Sequence, residues 1–327
     1  RGRRRPERAG NFPPALHIKG MSHTSFLEHR ELGEILWQRD FDVAHSLAAK
    51  KDLPVLLLFQ EIPGCSTCVN FGQDVLSNPL LAEAIEENFV PLAIHNNKPG
   101  RDAEILARFR EPSWNNPVIH FLRPDGSQLI PKLANRYDPL AVHSKIVAAL
   151  EAMGRGVPEY LRLLRDDLLA DYGLARSANI ETPCFWSGET SLAQHPAVLT
   201  TEAGWIGDEE VVRIDYDPAK VDIVALAKFA ETEGFEVGEP TGFLTDKAPQ
   251  YYISKSRFAH LPLSRAQRTR INLAIPYRDR PERFLSPRQA AWLARPDLTA
   301  LSPASTYRGN FRAEWTRMGG LDKAVAE

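Results

Sequence analysis

The chain of 327 residues holds three cysteines, and their placement points to thiol chemistry. Two lie in the run Ile62-Pro63-Gly64-Cys65-Ser66-Thr67-Cys68, which follows the apolar stretch Pro54 to Phe59; Val69 to Leu76 then continues with helix-compatible residues. A CxxC that opens a helix sets its first sulfur beside unpaired backbone N–H groups and the positive end of the helix dipole, so the thiolate is favoured. The two-residue spacer lets the second thiol reach the first. A mixed disulfide with a substrate is then released as an internal disulfide. The alternatives are half of a zinc site or two inert thiols; zinc needs two more ligands, and no second CxxC or CxxH exists. The third cysteine begins Cys184-Phe185-Trp186 at another expected helix start, where the aromatics would give a nucleophile a hydrophobic lip shaped for a methyl thioether. Taken alone, a cysteine among aromatics is more often core than nucleophile.

The surrounding pattern places both motifs on regular elements. Residues 24–52 carry apolar side chains at roughly helical spacing, and Pro54 to Phe59 is a continuous apolar run of strand length, as in a central strand buried on both faces. A helix over Pro79 to Asn88, a strand over Phe89 to Ile94 and a short helix near Asp102 to Phe109 complete a βαβ order. Asn116-Pro117 precedes a strand ending at Leu122, and the turn Pro124-Asp125-Gly126 leads to Gln128 to Ile130, a hairpin signal. A closing helix spans 138–152. After Gly154 to Pro158, residues 159–171 read as a helix. The second half gives a strand before Cys184, a helix over Phe185 to Gln194, strands over Val198 to Ile206 and Glu210 to Tyr216, and a helix over Lys220 to Glu233; this β-α-β-β-α order suits an α+β sandwich. Asp217-Pro218 ends a strand, and Gly188, His95 and His120 read as structural. Helices near Ser264 to Leu273 and Ser286 to Ala294 are signalled by Ser caps and by Pro287 at N1.

Length supports two cores at roughly 100–200 residues per domain. Apolar content of 43%, charged content of 25% and a net charge of −2 are ordinary globular values with no overall pull toward nucleic acid or lipid. No run approaches the roughly 18 apolar residues of a membrane span. The basic start, with Arg1, Arg3, Arg4, Arg5 and Arg8, is expected to be disordered over 1–20, with Met21 marking residues upstream that need not belong to the working protein; a transit peptide is the weaker alternative. An odd, small cysteine count excludes a disulfide framework. A cytoplasmic, metal-free and cofactor-free protein is expected.

The strand-CxxC-helix order with the later Asn116-Pro117-Val118 resembles the thioredoxin superfamily over roughly residues 40–152. That resemblance implies Cys65 as attacking thiol, Cys68 as resolving thiol, and Pro117 as a cis-proline whose neighbouring backbone pairs with substrate. The tryptophan usual before the motif is Gly64 here, and the inner pair is Ser66-Thr67 rather than Gly-Pro.

From Cys184 to about Gln267 the sequence resembles the A-type peptide methionine sulfoxide reductases. Pro183-Cys184-Phe185-Trp186 with Glu189, Gly204-Trp205-Ile206-Gly207, Glu210 through Pro218, and Asp246-Lys247-Ala248-Pro249-Gln250-Tyr251 stand where that family has its motifs. The resemblance implies Cys184 as the nucleophile attacking sulfoxide sulfur, Glu210 as the acid that protonates the oxygen, Tyr251 and Asp246 as its hydrogen-bonding partners, and Phe185 and Trp186 as the methyl pocket. Trp205 replaces an active-site Tyr, Pro183 a Gly and Tyr252 an Arg, while the stretch from Gly207 to Glu210 is shortened.

Together these readings give an α/β and α+β chain. They predict a thioredoxin-like βαβ domain over 24–153, a linker helix within 154–176, a ferredoxin-like or sulfoxide-reductase-like domain over 177–275, and a C-terminal extension over 276–327. The expected activity is thiol-dependent reduction of methionine sulfoxide, free or in peptides, as in repair of oxidative damage. Cys184 would become a sulfenic acid and the Cys65/Cys68 pair would recycle it, since no cysteine follows Cys184. Its partners would be an oxidised protein or methionine sulfoxide and an external thiol reductant such as thioredoxin or glutathione. The alternative is a thiol–disulfide oxidoreductase or redox sensor with a degenerate second domain.

Overall fold

The computed structural model describes residues 29–298 and 310–326; the basic segment 1–20 and the start of the first expected helix lie outside the described residues. The first described strand is β1, Val55–Gln60, with all six residues buried. It is central in a sheet that also holds β2 (Val90–His95), β3 (Val118–Leu122) and β4 (Gln128–Ala134), in the order β2-β1-β3-β4. β1 runs parallel to β2 and antiparallel to β3. Leu56 and Leu58 face one core while Val55, Leu57 and Phe59 face another, so the apolar run is buried by two layers rather than one.

The helix expected over 24–52 is instead a short helix. α1 spans Phe41–Lys51, with Asp40 accepting from Val43 N at 2.9 Å as its N-cap and Asp52 ending it in the left-handed region. Ahead of it, Gln38 bridges Leu92 of β2, and Ile35 and Trp37 are buried while Leu36 is 51% exposed. That alternation is the period-two signature of extended chain.

α2 (Ser66–Asn70) begins at the N-cap Cys65 and continues into a π-helical turn at Phe71–Val75. α3 (Pro79–Asn88) starts at Asn78, whose side chain accepts from Leu81 N, with Pro79 in the first turn where no N–H is needed. α4 (Arg101–Arg108) and α5 (Pro139–Ala152) complete this layer set.

α6 (Glu159–Asp171) buries Tyr160, Leu161 and Leu164 in the same core as Leu81 and Ile85 of α3. The second sheet then forms from β5 (Arg176–Glu181), β6 (Val198–Ile206), β7 (Glu209–Tyr216), β8 (Glu236–Val237) and β9 (Leu244–Thr245), in the order β8-β5-β7-β6-β9. All its pairings are antiparallel. With α7 (Phe185–Leu192) after β5 and α8 (Ile223–Thr232) after β7, strand β7 is inserted between β5 and β6, as in a split β-α-β unit. Ile180, Phe185, Val212, Ile214 and Leu226 fill the core on that face.

α9 (Tyr251–Ser254), α10 (Arg265–Tyr277), α11 (Pro287–Leu293) and α12 (Phe311–Ala326) follow. Ser264 with Gln267 and Ser286 with Gln289 form capping boxes, and the two glutamine side chains bond each other at 2.7 and 2.9 Å. Trp292, Trp315 and Met318 enter the core that holds Leu32, Leu81 and Leu161. Among the described residues, no helix is long and apolar enough to cross a membrane.

Candidate functional site

β1 delivers the chain to Glu61 and to the turn Ile62-Pro63-Gly64, with the Ile62–Pro63 peptide cis, so that Cys65 caps α2. Gly64 has no room for a side chain, because a Cβ there would lie 2.4 Å from Glu61 O and 2.6 Å from Cys68 Cβ. Its N–H donates to Glu31 Oε1 at 2.8 Å. Cys65 is exposed and Cys68 buried, their sulfurs 3.9 Å apart. The backbone N–H of Cys68, aided by that of Thr67, holds the Cys65 thiol below its ordinary value. Burial pushes the Cys68 thiol up to about 12. One sulfur is thus set to attack while the other stays protonated until a disulfide forms in front of it.

Facing them, the Asn116–Pro117 peptide is cis, and Asn116 Oδ1 lies 2.6 Å from Cys68 Sγ, where it accepts the S–H. Gln60 Nε2 donates to Glu31 O and to Cys68 O at 2.8 and 3.2 Å. A Glu61 carboxylate oxygen and the two sulfurs lie within 4.8 Å of one another, a group of three metal-capable atoms against the four of a closed zinc site. Glu31, Glu61, Gln60 and Asn116 escaped the sequence reading. The proximity of Glu61 and Gln60 to the motif and of Asn116 to Pro117 was the available signal; Glu31 is brought in by packing alone.

The second thiol is built by strand register. A two-residue turn, Gly207-Asp208, joins β6 to β7, with Gly207 at φ 60°, and it sets Trp205 opposite Glu210 on one face of the sheet. Cys184, half-buried, is the N-cap of α7. Glu210 Oε2 accepts from Phe185 N at 2.8 Å, which satisfies a free N–H of the helix start and fixes the carboxylate beside the cysteine. Phe185 meets Trp186 and Trp205 edge-on at 5.5 and 5.2 Å, Trp186 stacks on Tyr251 at 4.4 Å, and Trp205 Nε1 donates to Asp246 Oδ2 at 3.2 Å. The structure therefore gathers Cys184, Phe185, Trp186, Trp205, Glu210, Asp246 and Tyr251 into one cluster.

A second carboxyl group lies close by on α7. Glu189, fully buried one turn along α7, is pushed up to about 8 by burial, while Ala203 N, Gln250 N and Gln250 Nε2 donate to it. It ties α7 to β6 and to the segment leading into Tyr251. A cavity of about 810 Å³ on the sheet is lined by Asn179, Thr200, Arg213 and Asp215 and does not include Cys184. All three cysteines are free thiols, so Cys65 and Cys184 are not joined.

Residues 36–124 match the thioredoxin-like family. Two solved structures are similar to the chain: a thioredoxin from Thermus thermophilus, 22% identical, TM-score 0.32, over 37% of this chain and 90% of that one; and DsbH oxidoreductase, 18% identical, TM-score 0.31, over 41% and 95%. No curated protein matches the chain. By the family match, the chain contains a thioredoxin-like domain at residues 36–124, with the Cys65/Cys68 pair at the start of its α2.

Proposed function

We propose that the protein is a thiol-dependent methionine sulfoxide reductase in which the thioredoxin-like domain recycles a second thiol centre. The observation that carries this reading is the cluster at Cys184: a cysteine at a helix N-terminus, roofed by Phe185, Trp186, Trp205 and Tyr251, with the Glu210 carboxylate bonded to the next residue's N–H. Aromatic faces suit a methyl thioether, and the Glu210 carboxyl with the Tyr251 hydroxyl suits a sulfoxide oxygen. Cys184 Sγ attacks the sulfoxide sulfur while the oxygen is protonated, leaving methionine and a sulfenic acid on Cys184. The Cys65 thiol condenses with that acid, releasing water and forming a Cys65–Cys184 disulfide. Cys68 then attacks Cys65 Sγ, freeing Cys184 as a thiol and leaving the Cys65–Cys68 disulfide for an external thiol of the thioredoxin or glutathione kind.

The test is a single-turnover incubation of reduced protein with a methionine sulfoxide peptide, with both epimers resolved and each cysteine mapped. One epimer is reduced stoichiometrically, oxidation appears at Cys65–Cys68, Cys184→Ser abolishes methionine formation, and Cys68→Ser accumulates the Cys65–Cys184 disulfide. If no methionine forms while a disulfide substrate is still reduced, the second reading stands: a thiol–disulfide oxidoreductase whose second domain binds without reducing. The stacking of Trp186 on Tyr251, which fills part of the aromatic box with its own rings, favours that alternative.

A further inference from the structure

Trp114 is 80% exposed, in the turn that precedes the cis Asn116–Pro117 peptide. An isolated exposed hydrophobe is ordinary on a protein surface. What sets this one apart is a backbone held fast on both sides. Asn96 Nδ2 donates to Ser113 O at 2.9 Å, Asn115 N donates to Pro112 O at 3.0 Å, and Asn115 Nδ2 donates to Glu111 Oε2 at 3.1 Å. Glu111 has a fully buried side chain and is itself gripped by His120 Nε2 at 2.9 Å and by Lys132. The loop is therefore fixed from below by hydrogen bonds that converge on the buried Glu111 carboxylate, and its largest side chain is turned to solvent. Two residues further on, Asn116 touches the sulfur of Cys68, so the exposed Trp114 is carried on the same loop that reaches the thiol pair.

We propose that Trp114 is a specificity-determining residue that selects disulfides in polypeptides carrying an aromatic or large apolar side chain next to the oxidised cysteine. This rests on the thiol-exchange half of the reading above and is independent of the Cys184 chemistry. An indole carried on a held backbone covers such a side chain without loss of loop entropy, which is the condition under which an aromatic contact adds to affinity. The Cys65 thiolate attacks the substrate sulfur, giving a mixed disulfide and expelling the other substrate sulfur as a thiol after it takes up a proton. Cys68 then displaces the reduced peptide and leaves the Cys65–Cys68 disulfide.

The test uses the full chain, recycled by a small dithiol whose own background rate is subtracted, and two peptide–glutathione mixed disulfides that differ only in Phe or Gly beside the cysteine, with 2-hydroxyethyl disulfide as a substrate too small to reach the indole. The wild-type KM is about tenfold lower for the Phe peptide, equivalent to about 1.4 kcal/mol. Trp114→Ala removes this preference through KM with kcat unchanged, Trp114→Phe keeps most of it, and 2-hydroxyethyl disulfide reacts within twofold of wild type in both. An unchanged Phe/Gly ratio in Trp114→Ala overturns the proposal. So does a parallel loss with 2-hydroxyethyl disulfide, which would make Trp114 a support for the thiols rather than a substrate contact. A wild-type chain that reduces none of the three substrates instead removes the thiol-exchange reading itself.

Discussion

Two cysteines three positions apart differ because one sulfur meets backbone N–H donors at the surface and the other meets a closed interior. The expected outcome of alkylating reduced protein with iodoacetamide is therefore ordered. Cys65 reacts first, with a rate that rises through an inflection below that of an ordinary thiol, while Cys68, pushed up to about 12, stays unmodified at neutral pH until the chain is unfolded. Mass mapping of the modified peptides across pH checks this, and equal labelling of both at pH 7 would contradict the asymmetry. Gly64 adds to the same picture. Gly64 is packed against Glu61 O and the Cys68 side chain, so no larger residue fits and no side chain at that position covers Cys65. This much was implicit in the spacing. The acceptor on Cys68 was not, because Asn116 reaches it across 48 residues of sequence.

At the scale of elements, legibility followed local chemistry. α3, α6 and β6 lie where periodicity and caps put them, since Asn78 with Pro79, the Glu159 start and a strand-like run rich in β-branched residues each act within a few residues. The segment before α1 was misread because Ile35 and Trp37 alternate over too short a span to outvote helical spacing on both sides. The two-residue strands β8 and β9 leave no pattern at all. Contacts between helices were equally hidden, and two carry a titration. Glu83 of α3 accepts from Arg288 N in the first turn of α11, and Asp167 of α6 accepts from Ala266 N of α10; each has its second oxygen buried without a bond. Burial pushes both up to about 7. Their unfolded values lie near 4, so between these limits the folded chain holds more protons and stability falls as pH rises, by about 1.4 kcal/mol per unit of difference for each group. Thermal midpoints measured from pH 5 to pH 8 should decline, and Glu83→Gln with Asp167→Asn should flatten the decline. A wild-type profile already flat over that range would show that the two acids are ionised in the fold.

For the whole molecule, the decisive feature is a core that takes Leu32 from the segment before α1, Leu81 and Ile85 from the thioredoxin-like domain, Leu161 from α6 and Trp292, Trp315 and Met318 from the last helices. No sequence pattern announces this sharing, because each helix shows only that it has an apolar face and not which surface receives it. Trp292→Ala, which empties a fully buried site, should cost about 3 to 5 kcal/mol and lower the unfolding of both halves together, read as one coincident transition by far-UV circular dichroism and by Cys68 labelling. Separate transitions would mean that the two halves fold apart. The same sharing has a consequence for synthesis. At roughly 5–20 residues per second, about 10 to 40 s separate the emergence of β3 from that of Trp315. Throughout that interval Cys65 and Cys68 have already emerged while part of the core around them has no cover, so a disulfide formed between them at that stage would precede the completed fold.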